Sequence, residues 1–345
     1  MITPPFLKTG DTIAITAPAR KITPEELQPA ISTFESWGLK VILPPNLFAI
    51  YHQFAGTDEQ RNADMQTLLD NDDIRAIMCA RGGYGTGRNI DSLDFTRFRS
   101  SPKWIIGYSD ITVLHSHVQE NLGIETLHAT MPINFLTENE EFQDSIAGLK
   151  SCLFGETPSY KIAGNPFNRT GTAQGILTGG NLSILYSQLG TPSDIDTDGK
   201  VLFIEDIDEY LYHVDRMMIT LKRNGKLDNL AGLVVGAFTD MRDNDIPFGK
   251  TAEEIIRECV NEFKYPIIFN FPAGHQPLNL PLILGREATI EVSQNAHLLF
   301  KEPLPSKGFR KFRNLIKPTL FVIGGFFLLY LLYALVLGQL QLTKH

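Results

Sequence analysis

The sequence predicts an α/β fold in two domains. Three observations carry this. Short apolar runs alternate with amphipathic stretches through the first half. Helix-start signals separate them. The chain has 345 residues, enough for two domains of roughly 150 residues each.

Residues 12–17 (TIAITA) read as a strand closed by Pro18. Thr23 and Glu26 form a capping box with Pro24 at the first helical position, so a helix starts there. Residues 40–43 give a second strand, and Thr57 with Gln60 opens a helix to about Asp70. Residues 75–80 (RAIMCA) are a third strand, ending in the turn Arg81-Gly82-Gly83-Tyr84-Gly85. Residues 104–107 (WIIG) are a fourth, followed at once by Tyr108-Ser109-Asp110 and a helix to about Asn121, and residues 125–128 are a fifth. Strands alternating with helices make a parallel, doubly wound sheet, whose ligands sit beyond the carboxyl ends of the strands. Both special turns lie at that edge.

Residues 1–150 therefore form the first domain and 151–170 a linker, with a Gly/Pro/Asn-rich run at 165–172. Residues 171–305 form a smaller α/β or β-rich second domain. Its expected strands are 201–205, 231–237, 267–271 and 288–292, and its helices 214–223 and 252–263.

Hydrophobic residues at 43% and charged residues at 20% exclude intrinsic disorder. The three cysteines form no C-x-x-C pair, which argues against a disulfide scaffold or a cysteine zinc site. Net charge is −8, and the stretch from Ser306 onward holds six Lys/Arg and no acid, so the rest carries −14. A body this acidic argues against nucleic-acid binding. Leu320 to Leu340 is an uncharged apolar run, about 31 Å as a helix. The expectation is a basic juxtamembrane segment at 306–318 and a transmembrane helix at 319–340. The basic flank puts the body in the cytoplasm, anchored to the inner membrane, and the N-terminus reads as no signal peptide.

Four motifs bear on chemistry. Ser109, on a strand-to-helix turn, fits either a nucleophile or a plain helix N-cap. Ile111 stands where G-x-S-x-G has its second glycine. The run from Arg81 to Gly87 fits a phosphate loop, a flexible turn, or the second half of an oxyanion hole beside Ser109. It lacks the Walker Lys-Ser/Thr and is one residue short of the dinucleotide fingerprint. Glu205, Asp206, Asp208 and Glu209 fit a solvated acidic turn, or supply one carboxylate that orients a histidine; no metal-binding partner pattern accompanies them. His275, in Pro272-Ala273-Gly274-His275-Gln276, is placed to act as a base. Ser109, Glu205 and His275 make a Ser…acid…His order that spacing alone does not establish.

With these residues in view, the sequence closely resembles the LD-carboxypeptidases, the muramoyltetrapeptide carboxypeptidase family of serine peptidases. The matching stretches include Ala80-Arg81-Gly82-Gly83-Tyr84-Gly85, Trp104 to Thr112, Gly179-Gly180-Asn181-Leu182, Phe203-Ile204-Glu205-Asp206 and Gly274-His275 with Asn279. The resemblance implies a Rossmann-like N-terminal domain, with Ser109 as nucleophile, His275 as base and Glu205 as orienting acid. It implies an oxyanion hole from the backbone N–H groups of Asp110 and Gly83. It further implies no metal or other cofactor, a homodimer, and release of the terminal D-alanine from murein tetrapeptides in cell-wall recycling. A subsite for the substrate's free carboxylate is needed, with Arg81 as its candidate and Asn181 as a further substrate contact. Competing readings are a self-immunity peptidase acting on a peptide–nucleotide antibiotic and a non-catalytic, membrane-tethered murein-peptide sensor. A nucleotide-binding oxidoreductase is disfavoured by the glycine loop.

Overall fold

The computed structural model describes residues 1–136 and 139–303; the expected juxtamembrane and transmembrane segments lie outside the described residues. Among the described residues, no helix is long and apolar enough to cross a membrane.

The first half builds as its periodicity dictates. Strand β1 (Thr12–Thr16) leads to helix α1 (Pro24–Ser36), which starts with the Thr23/Glu26 capping box. β2 (Lys40–Ile42) leads to α2 (Asp58–Asp70), started by the Thr57/Gln60 box. β3 (Ile74–Cys79), the short α3 (Thr96–Ser100), β4 (Trp104–Gly107), α4 (Thr112–Leu122) and β5 (Thr126–His128) follow. The strands pair in parallel in the order β5-β4-β3-β1-β2.

The second half begins with α5 (Glu140–Leu153) and β6 (Ser159–Ile162), so the expected linker at 151–170 contains a strand. Then come β7 (Gly171–Asn181), α6 (Leu182–Ser187), β8 (Val201–Ile207), α7 (Leu211–Arg223), β9 (Gly232–Thr239) and α8 (Ala252–Cys259). The chain closes with β10 (Ile267–Ile268), β11 (Leu282–Leu284), β12 (Glu287–Val292) and β13 (Ala296–Phe300). A seven-stranded sheet runs β10-β9-β8-β7-β12-β13-β6. Its β7–β10 part is parallel and its β12, β13, β6 part antiparallel. The second sheet is thus the larger of the two.

β11 leaves the second half and pairs antiparallel with β5, completing the first sheet as its sixth strand. One buried apolar cluster holds Ile13, Trp104 and Ile106 beside Phe203, Phe271 and Ile290. Residues of both sheets therefore share a core, and residues 1–302 form one compact unit. That shared core fixes the carboxyl ends of β3, β4 and β8 relative to one another.

Candidate active site

Turns that follow several strands meet at one cleft of about 470 Å3. Its lining includes Ser109 and Tyr108 from the turn after β4, Arg81, Gly82 and Gly83 from the turn after β3, and Asp208 and Glu209 after β8. Arg20, from the turn after β1, and His275 complete its charged and catalytic-type side chains.

Ser109 opens a single 3-10 turn, Ser109–Ile111, that runs into α4. Its φ is +65°, a left-handed conformation that costs a non-glycine residue about 1 kcal/mol or more and tends to persist at functional sites. The sharp turn needs Gly107 before it: a methyl there would sit 2.9 Å from Ile111 Cγ1. Ile111 is thus accommodated where the usual elbow has its second glycine. Gly82 packs on the serine itself, since a Cβ added to it would lie 2.8 Å from Ser109 Cβ and 3.0 Å from Oγ. Asp110 joins the two turns: its buried carboxylate accepts a 2.8 Å hydrogen bond from the Thr86 N–H, and burial raises its pKa. The glycine-rich run is therefore held against the serine turn by a side chain one residue from Ser109.

Glu205 lies near the end of β8 with no solvent exposure. Its Oε2 is 2.6 Å from His275 Nδ1. A Nδ1–H donating to this carboxylate leaves Nε2 without a protein partner among the described residues, which suits a base. Burial alone would lower the His275 pKa. The Glu205 charge and hydrogen bond, with Asp206 behind them, outweigh it and the net shift is upward. The Tyr108 ring meets the imidazole edge-on at 4.8 Å between centroids.

The other acids have separate partners. Asp208 pairs with Arg242, and Glu209 lies 2.6 Å from His213. Asp206 is buried, accepting hydrogen bonds from Asn181 Nδ2 at 2.8 Å, the Ser183 N–H and the Ile207 N–H. Burial first, then the Glu205 charge, push its pKa up to about 7. Among the described residues, no group of three or more His, Cys, Asp or Glu side chains is placed to hold a metal ion.

Asn181 is buried and does not line the cleft. Its amide is committed to Asp206 and Ile184, while its backbone N–H donates to Thr112 Oγ1 at 3.0 Å. It thereby links the start of α4, three residues past Ser109, to the residue beside Glu205. Arg81 lines the cleft with its guanidinium 3.3 Å from Lys21 O and 4.0 Å from Glu26. Arg20 carries no sequence motif; its one signal is its place at the carboxyl end of β1, on the edge that holds both special turns.

Comparison with known proteins covers the stretches of chain that carry the cleft. The LD-carboxypeptidase N-terminal domain matches residues 13–129 and the LD-carboxypeptidase C-terminal domain matches residues 174–290. The chain is 36% identical over 303 residues to a Bacillus subtilis protein described as "Probable murein peptide carboxypeptidase", covering 86% of this chain and 93% of that one. It resembles the crystal structure of a muramoyltetrapeptide carboxypeptidase from Oxalobacter formigenes, with a TM-score of 0.76 and 27% identity over 85% of this chain and all of that one. The microcin C7 self-immunity protein shares the fold at a TM-score of 0.79 with 21% identity, over 88% of this chain and all of that one.

Proposed function

The chain belongs to the LD-carboxypeptidase family and is a hydrolase of the serine carboxypeptidase type. From that premise we propose that it releases the terminal D-alanine from murein tetrapeptides, with Ser109, His275 and Glu205 as its catalytic triad. The observation that carries the reading is the 2.6 Å contact between His275 Nδ1 and a fully buried Glu205, in a cleft that Ser109 also lines.

The chemistry runs in two steps. His275 Nε2 takes the Ser109 hydroxyl proton as Oγ attacks the carbonyl carbon preceding D-alanine. Glu205 holds the imidazole in the right tautomer and stabilises the imidazolium that forms. The oxyanion rests on the Asp110 N–H and an N–H of the Gly82–Gly83 turn. Collapse breaks the C–N bond, and His275 returns its proton to the departing D-alanine amine. Water, deprotonated by the same imidazole, then hydrolyses the acyl-enzyme and restores Ser109.

The identities of 36% to the murein peptide relative and 21% to the microcin self-immunity structure favour the murein substrate over a peptide–nucleotide antibiotic. A role in cell-wall recycling, a cytoplasmic body and a membrane tether at 319–340 belong to the same proposal. The tether is supported by the length of the uncharged run and the basic residues before it. A homodimer rests on the family resemblance alone. Incubating the protein with a murein tetrapeptide and weighing the products by mass spectrometry tests the reading. Free D-alanine and the tripeptide are expected, and an intact tetrapeptide contradicts it.

A further inference from the structure

A carboxypeptidase has to hold a free carboxylate next to its nucleophile. Four charged side chains other than His275 line the cleft: Arg20, Arg81, Asp208 and Glu209. Three are committed within the protein. Asp208 pairs with Arg242, Glu209 with His213, and Arg81 reaches Lys21 O and Glu26. Arg20 is exposed and, among the described residues, has no carboxylate within ion-pair distance.

Position adds a second argument. The sheet order β5-β4-β3-β1-β2 reverses direction between β1 and β3. That reversal is the switch point where open α/β sheets take their ligands. Arg20 follows β1 and the Arg81–Gly83 turn follows β3, so the two flank the crevice. The aliphatic stem of Arg20 lies across Gly83, and a methyl built on that glycine would collide with Arg20 Cγ and Cδ. Gly83 also has φ of +112°, which suits glycine alone. The next glycine back, Gly82, touches Ser109. The Arg20 stem is therefore seated on the residue next to the one that contacts the nucleophile.

We propose that Arg20 is the specificity-determining residue that binds the C-terminal carboxylate of the peptide substrate, through a charge-assisted contact that the planar guanidinium can make bidentate. The role first expected of Arg81 passes to Arg20, because Arg81 is already engaged. This inference rests on the carboxypeptidase reading above, and its test separates the two.

The probes are a murein tetrapeptide with a free terminal carboxylate and the same peptide ending in a carboxamide. The unaltered chain should prefer the acid. Arg20→Gln should lower kcat/KM for the acid on the order of ten- to a hundredfold, chiefly through KM, and leave the amide little changed. Arg20→Lys should recover part of the preference. Binding of both peptides to the Ser109→Ala chain, with and without Arg20→Gln, gives the same comparison without turnover. An acid-to-amide preference unchanged by Arg20→Gln overturns the proposal, as does its collapse on Arg81→Gln instead. Absence of turnover by the unaltered chain contradicts the carboxypeptidase reading, while the binding comparison still decides the role of Arg20.

Discussion

Gly274 leaves no room for a side chain against Glu205: a methyl in place of its hydrogen would sit 2.7 Å from Glu205 Oε2, the oxygen that His275 holds. Its φ of +110° is itself a glycine conformation. The glycine before the histidine is thus what lets the buried acid reach the ring.

Gly274→Ala should therefore act twice. Forcing a Cβ into the left-handed region and onto Glu205 costs about 1–3 kcal/mol. It also displaces the acid from His275. The expected outcome is a lower Tm together with a fall in kcat much larger than the stability loss explains. Normal kcat in a folded Gly274→Ala chain would contradict this account of the loop.

Glu205 and Asp206 are adjacent acids with different partners, so their amides should behave differently. Glu205→Gln removes the charge that supports the imidazolium, and kcat should fall by about 10^4, as loss of a triad acid does elsewhere. Asp206→Asn disturbs the link through Asn181 to Thr112 and should cost much less. Steady-state kinetics of both variants decide between them. Abolition of turnover by Asp206→Asn alone would reverse the assignment.

The pH profile follows from the raised pKa of His275. As the proposed base, His275 works only when neutral, and the neutral fraction falls as pH drops through that pKa. The acidic limb of kcat/KM should therefore lie above the ordinary histidine value of about 6.5. In Glu205→Gln the opposing burial is left unbalanced, so the limb of the residual activity should move to lower pH. A limb unmoved by that substitution would mean that another group governs it.

Much of this site is legible in the sequence alone. The capping boxes at Thr23 and Thr57 fix two helix starts within a residue, because side-chain capping is a local interaction. Strand β4 and the turn after it are equally plain, since an apolar run ends at a glycine and a polar cluster. β7 is not legible. Its glycines have poor strand propensity, yet Gly179 is required there because any side chain would strike the Phe203 backbone of the neighbouring strand. The crossing of β11 into the first sheet is equally hidden, because a three-residue apolar segment says nothing about which sheet it joins. Glu205 and His275 stand 70 residues apart, and only the register of β8 with β9 and the loop after β10 brings them together. Asn181, a motif residue, reads as a substrate contact but is spent inside the protein.

The proposed role of Ser109 as the nucleophile is tested most directly by measuring D-alanine release by Ser109→Ala. A serine peptidase that loses its nucleophile drops in kcat by about 10^6. Ser109→Ala should lose several orders of magnitude in turnover while keeping a Tm within a few degrees of the unaltered chain. Near-normal release of D-alanine by a folded Ser109→Ala protein would contradict it.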